Sequence, residues 1–111
     1  METPTWKLEI LALEAEFCAA LSDPTRIFIL YALSERSLNV TELTNELGIP
    51  QPTISRHLKV LRERGLADTQ RQGTVIIYHL TDQRIIQALD LLRATMHDRY
   101  AQRAKFVSEL G

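Results

Sequence analysis

VTELTNELGIPQPTISRHLKVLRERGL, residues 40–66, holds two short amphipathic stretches separated by little more than Gly48, Ile49, Pro50 and Gln51. So brief a connection forces the two helices to turn sharply against each other. Asn39, three residues before Glu42, has the acceptor and the returning carboxylate of a capping box at the start of the first helix, and Gly48 can end it. In the second helix, Ile54, Leu58 and Leu61 share one narrow face at about 100° per residue. Pro52, Arg56, Lys59 and Glu63 point the other way, with Thr53 and Ser55 on the flanks. The back of this helix anchors and its front is free.

A front built only to face water would favour Glu, Lys and Gln, which are strong helix formers. Its first turns instead carry Gln51, Thr53, Ser55, Arg56 and His57, several of them modest helix formers, all able to hydrogen-bond at close range. Such side chains suit base edges: the major groove of B-DNA admits a helix, Arg matches guanine, Gln matches adenine, and Ser or Thr serves either pair. Lys59 and Arg62, a turn or two further on, suit phosphates. Gln51 is expected as a weak cap, with Pro52 in the first turn.

Working outward, Asp23 offers an N-cap and Pro24 a first helical residue for PTRIFILYALSE, which is apolar nearly all round and so expected as the central post of the core. Before it, Thr3 is expected as a cap and Pro4 in the first turn of WKLEILALEAEFCAAL, with two apolar stripes: Ile10, Leu13, Phe17, Ala20 and Leu21 on one side, and Leu8, Leu11, Ala15 and Cys18 on another. Two stripes imply two packing partners. After Gly65, the stretches LADTQR and TVIIYHL flank Gln72-Gly73, where glycine can take the positive φ of a tight hairpin. From Thr81 or Asp82 the pattern is helical again, with Ile85, Leu89, Leu92 and Met96 on one face and Ile86 and Leu91 broadening it. The tail from His97 either extends this helix or forms a separate turn.

Composition narrows the function. The chain has 111 residues, 45% of them hydrophobic, enough for one domain with one modest core. Its apolar runs are too short for a membrane span and its N-terminus lacks a signal peptide's pattern, so it reads as cytoplasmic. One cysteine and three scattered histidines give no zinc-finger spacing, and neither metal nor cofactor is expected. No nucleophile-base grouping, phosphate loop or carboxylate pair suggests an enzyme. Net charge is −1, but its distribution is uneven: residues 1–48 carry three basic and eight acidic groups, residues 51–74 five and two, residues 75–111 five and four. The cations concentrate around the second quoted helix, a distribution that suits nucleic-acid contact and equally a helix end where Arg62, Glu63 and Arg64 simply face water.

ALSDPTRIFIL (20–30), the quoted 40–66 stretch and RQGTVIIYHL (71–80) together resemble, in order and spacing, the ArsR/SmtB family of bacterial winged-helix repressors. The likeness spans nearly the whole chain. It implies a mainly α fold, a winged helix-turn-helix of about five helices and a two-stranded hairpin, acting as a homodimer on double-stranded DNA with an inverted-repeat operator. It places Gln51, Thr53, Ser55, Arg56 and His57 in the base-reading stretch, Thr41 where the preceding helix meets a phosphate, and Arg71 and Gly73 in the wing. Thr74 stands where relatives frequently have Arg, so wing contact is expected to be weaker. The resemblance also implies dimerisation through the first and last helices, which suits their two-sided patterns: Leu8, Leu11, Ala15 and Cys18 on the first, and Ile85, Leu89, Leu92 and Met96 on the last.

Metal-sensing relatives carry paired cysteines at the start of the third helix, where this chain has Asn39 and Thr41, and carboxylates and imidazoles on the fifth, where it has Asp82, Arg84, Thr95 and Asp98. Metal sensing is therefore not expected. Two readings stand for Cys18: a small hydrophobe packed on its stripe, or a redox-active thiol. The releasing signal, a small molecule or a redox change, stays open. The alternative to DNA readout is a winged helix turned protein-docking module.

Overall fold

Residues 2–111 are described by a computed structural model. Helix α1 consists of α-helical stretches Thr5–Glu9 and Ala15–Ala20 joined by a π-helical segment, Ile10–Glu14. Then follow α2 (Pro24–Glu35), α3 (Val40–Leu47), α4 (Gln51–Glu63), a hairpin of β1 (Ala67–Gln72) and β2 (Val75–Leu80), and α5 (Arg84–Leu110). The architecture is the expected mainly α winged helix-turn-helix.

Local chemistry accounts for most of the boundaries. Asp23 Oδ1 accepts from the backbone N–H of Thr25 at 2.8 Å and of Arg26 at 3.4 Å, with Pro24 opening α2. The capping box is complete: Glu42 N–H donates to Asn39 Oδ1 at 2.8 Å, and Asn39 N–H to Glu42 Oε1 at 3.0 Å. Gly48, at φ 65°, takes the left-handed conformation that ends α3 without a Cβ penalty. Two expected caps differ. Pro4, not Thr3, is the N-cap of α1, and Pro50, not Gln51, is that of α4, neither start being capped by a side chain. Pro52 has no N–H to leave orphaned there, so the missing cap costs little.

The core is built where the helix-turn-helix meets α2. Ile29, Leu30, Leu38, Leu43, Ile54, Leu58 and Leu61 are fully buried, joined by Leu33, Leu66, Ala67 and Leu89. As expected, α2 is the central post, although Phe28 stays 53% exposed. The antiparallel hairpin pairs Ala67 with Leu80 through Gln72 with Val75, placing the turn at Gly73-Thr74, one residue later than expected. Gly73, at φ 63°, opens it. A contact invisible in the sequence ties this wing to the body: Leu38 and Tyr78 exchange both backbone hydrogen bonds, at 3.0 and 2.8 Å.

Two helices leave this body. In α1 only Ala20 is buried, and beyond Leu89 every residue of α5 is exposed. The tail extends α5 to 27 residues, about 40 Å of helix. The radius of gyration is accordingly 17.8 Å, where a compact chain of this size would have about 13 Å. Leu89, expected on the dimer face of α5, does not lie on it. It is only 6% exposed and belongs to the protomer's own core, against which Ile85 is half-buried, because the first turns of α5 pack on the body before the helix departs. Leu8, Leu11, Ala15, Cys18, Leu92 and Met96 are exposed. Cys18 therefore does not pack inside the protomer. No helix of the described residues is long and apolar enough to cross a membrane.

Candidate nucleic-acid interface

Fixed by Ile54, Leu58 and Leu61, α4 presents Gln51, Pro52, Arg56, Lys59, Arg62 and Glu63 as exposed side chains, with Thr53 and Ser55 half-buried on the flanks. Thr41 is exposed in the first turn of α3. The structure thus brings most of the expected polar front onto one free surface of the helix-turn-helix.

His57 is not part of it. The side chain is buried, 7% exposed, and its Nδ1 lies 3.2 Å from Nη1 of Arg26. On the helical wheel residue 57 sits about 40° from Leu61 and about 60° from Ile54, within reach of the anchoring face. Hydrogen-bonding capacity suggested a base reader; angular position, the better signal, puts His57 at the edge of the core.

Arg26, which the expected site did not include, makes the contacts that hold this region. Its Nε donates to the carbonyl of Ala20 at 2.6 Å and its Nη2 to that of Ala19 at 3.3 Å, at the C-terminal end of α1. A lone cation in an otherwise apolar helix start was the available clue. Asp23 completes the cluster, with Oδ1 3.8 Å from His57 Nε2. Burial works against its charged carboxylate, but the backbone N–H donors of Thr25 and Arg26 and the nearby Arg26 guanidinium outweigh it and hold Asp23 below its ordinary value.

At the wing, Arg71, Gly73 and Thr74 are exposed, and Arg71 Nε donates to the carbonyl of Gly73 at 3.2 Å, folding the guanidinium over the turn. Val75 and Ile76 beside it are more than 40% exposed, so the tip offers apolar surface as well as a cation. Its base is closed by Thr81, whose hydroxyl donates to Gly65 O at 2.8 Å.

The positions that hold metal in sensing relatives do not fit one here. Asn39 is committed to the capping box, and Thr41 offers no thiolate. Arg84 grips Asp82 through Nε at 3.0 Å and Nη2 at 2.6 Å, pulling the carboxyl down to about 2 through that side-chain bond and the Arg84 backbone N–H. Thr95 donates its hydroxyl to Leu91 O within its own helix.

Residues 23–69 match the family described as bacterial regulatory protein, arsR family. An uncharacterized HTH-type transcriptional regulator of Methanocaldococcus jannaschii, MJ1325, is 39% identical over 70% of this chain and 89% of its own length. The biofilm growth-associated repressor of Xylella fastidiosa is 38% identical over 70% of this chain and 68% of its own. Among solved structures, the homodimeric winged helix-turn-helix DNA-binding domain Mb0332 of Mycobacterium bovis superposes with a TM-score of 0.76 over 88% of this chain and 91% of that one, at 22% identity, a likeness of fold. The fold and the free front of α4 define a winged helix-turn-helix regulator of transcription. The chain belongs to the arsR family of bacterial regulatory proteins; it is a DNA-binding regulator and not an enzyme.

Proposed function

We propose that this chain is a cytoplasmic repressor that binds an inverted-repeat operator as a homodimer, each α4 lying in a major groove, α3 meeting the backbone through Thr41 and the wing reaching outward through Arg71, Gly73 and Thr74. The observation that carries this reading is the division of α4. Its apolar back is locked in the core, and Gln51, Thr53, Ser55, Arg56 and Lys59 remain available in front. A repressor among the relatives supports the direction of regulation.

Dimerisation is argued from exposed apolar surface. Leu8, Leu11 and Leu13 on α1 and Leu91, Leu92 and Met96 on α5 are each more than 40% exposed in the protomer. Apolar surface this extensive on one small soluble chain marks an interface, and a symmetric dimer is the commonest way to cover it. Two recognition helices about 34 Å apart would then meet successive major grooves on one face of the duplex. Release by a small molecule at that interface or by redox change at the exposed Cys18 fits the same arrangement.

Titration of labelled duplexes at several salt concentrations tests the DNA reading. Affinity should fall steeply with salt, with a log–log slope of about −0.9 per phosphate neutralised. A duplex from immediately upstream of the chain's own coding sequence should bind more tightly than a shuffled duplex. Salt-independent, sequence-blind association would instead favour a protein-docking module.

A further inference from the structure

We infer that Arg26 is a positioning residue that couples the C-terminal end of α1 to the recognition helix through His57, so that the attitude of the α1 arm sets how well α4 reads DNA. The inference rests on the reading of α4 as the groove-binding helix.

The argument begins with donors and acceptors. An arginine side chain has only N–H donors, so at Arg26 Nη1 the buried His57 must accept through Nδ1, and its own proton then resides on Nε2, facing Asp23 Oδ1 at 3.8 Å. One guanidinium therefore holds three acceptors at once: the carbonyls of Ala19 and Ala20, which end α1, and the imidazole in the middle of α4. Arginine's rigid fork suits this where a lysine ammonium, a point donor, does not.

Ala20 is the one buried residue of α1 among those described, so the arm meets the body essentially at its last turn. A second contact joins the same two helices: Glu16 Oε1 lies 3.1 Å from Arg64 Nη1, just past the end of α4. That pair is solvent-exposed and weak by itself. Its direction is nevertheless the same, with α1 touching α4 at mid-helix through Arg26 and at its end through Arg64. Base readout depends on hydrogen bonds of about 3 Å, so a small rotation of α4 about its buried face changes what Arg56 and Ser55 can reach. A displacement of the arm, whether by a partner protomer or by an effector seated on it, is transmitted to α4 along this path.

The test uses the full chain with Arg26→Met, Arg26→Lys, His57→Leu, His57→Asn and the Arg26→Met/His57→Leu double variant. Amide hydrogen exchange is followed at residues 16–22, 29–33 and 51–63, and binding is measured to the upstream duplex and to its shuffled control. Arg26→Met and His57→Leu should each speed exchange in both 16–22 and 51–63 while 29–33 stays protected. Each should reduce the upstream-to-shuffled affinity ratio about tenfold, within the range of coupling between linked sites. The double variant should do no more than either single change, because one path is cut twice. His57→Asn, which places an Oδ1 acceptor near the position of Nδ1, should recover most of both effects.

If Arg26→Met loosened 16–22 but left 51–63 as in the parent chain, or if His57→Asn were as damaging as His57→Leu, the coupling would be wrong. Should Arg26→Met fail to fold, Arg26→Lys, which keeps the charge but engages fewer acceptors, carries the same exchange comparison. A parent chain without preference for the upstream duplex would count against the operator reading, and the exchange measurements would still decide the coupling.

Discussion

The Tyr31 hydroxyl donates to Oδ1 of Asp90 at 2.7 Å, while the guanidinium of Arg93 lies over the Tyr31 ring, 5.2 Å from its centroid. The residues come from α2 and from the first exposed turn of α5, so this contact ties the long helix to the body where it departs. Burial raises the Tyr31 phenol above its ordinary 10.0; Arg93 opposes this and Asp90 adds to it. The proton is therefore held more tightly in the folded chain. Its stabilising contribution is complete below pH 10.0 and is lost as pH climbs through the raised value. Tyr31→Phe should lower stability by about 0.5–1 kcal/mol in urea denaturation near neutral pH, the net worth of a partly exposed hydrogen bond. An unchanged denaturation midpoint would show that the contact is incidental.

Arg56 and Lys59 lie one turn apart on the free front of α4, yet they should fail differently. Arg56→Ala should cost about 1–3 kcal/mol on the operator and relax base preference, whereas Lys59→Ala or Arg71→Ala should weaken all duplexes more evenly and flatten the salt dependence. Competition binding at fixed salt measures the contrast. An unaltered operator-to-random ratio in Arg56→Ala would remove Arg56 from the base readers.

Leu89 and Leu92 separate core from interface. Leu92 is 59% exposed and Leu89 only 6%, although they are neighbours on the helical pattern. Leu92→Glu should give monomer by sedimentation at micromolar concentration with little loss of protomer structure. Leu89→Ala should destabilise by about 2–5 kcal/mol through the cavity it leaves. A fully dimeric Leu92→Glu chain would place the interface elsewhere.

The Asp82–Arg84 pair predicts a titration and a metal response. Because Arg84 depresses Asp82 to about 2, the pair's contribution is present above the ordinary 3.8 and disappears as pH falls through about 2. Replacing Arg84 with Gln should bring the Asp82 midpoint, followed by carboxyl NMR, back toward 3.8.

With Asp82 occupied and no thiolate at Asn39 or Thr41, stoichiometric zinc or arsenite should change operator affinity by less than tenfold, about 1.4 kcal/mol. The comparison is run in reduced protein and in Cys18→Ser. A larger, metal-dependent release would reveal ligands supplied in some other way, for example across two protomers.

Local periodicity and cap chemistry were legible in the sequence by itself. The Asn39 capping box, the Asp23 cap, the glycine stops and the Ile54–Leu58–Leu61 anchor depend on residues within a few positions of one another, so order along the chain determines them. So does the winged helix-turn-helix class, since elements of those lengths in that order have few ways to bury their faces. What remained for tertiary structure involves partners far apart in sequence. His57 is a hydrogen-bonding residue by type and sat on the edge of the anchored face; Arg26, 31 residues earlier, completes a buried site for it. Leu89 and Leu92 carry equivalent side chains, and only the point at which α5 departs from the body buries one and exposes the other. The Leu38–Tyr78 bridge is made by backbone groups, which carry no sequence signature. A side chain's chemistry is written in the sequence; whether it meets solvent, DNA or another side chain depends on which distant segment packs beside it.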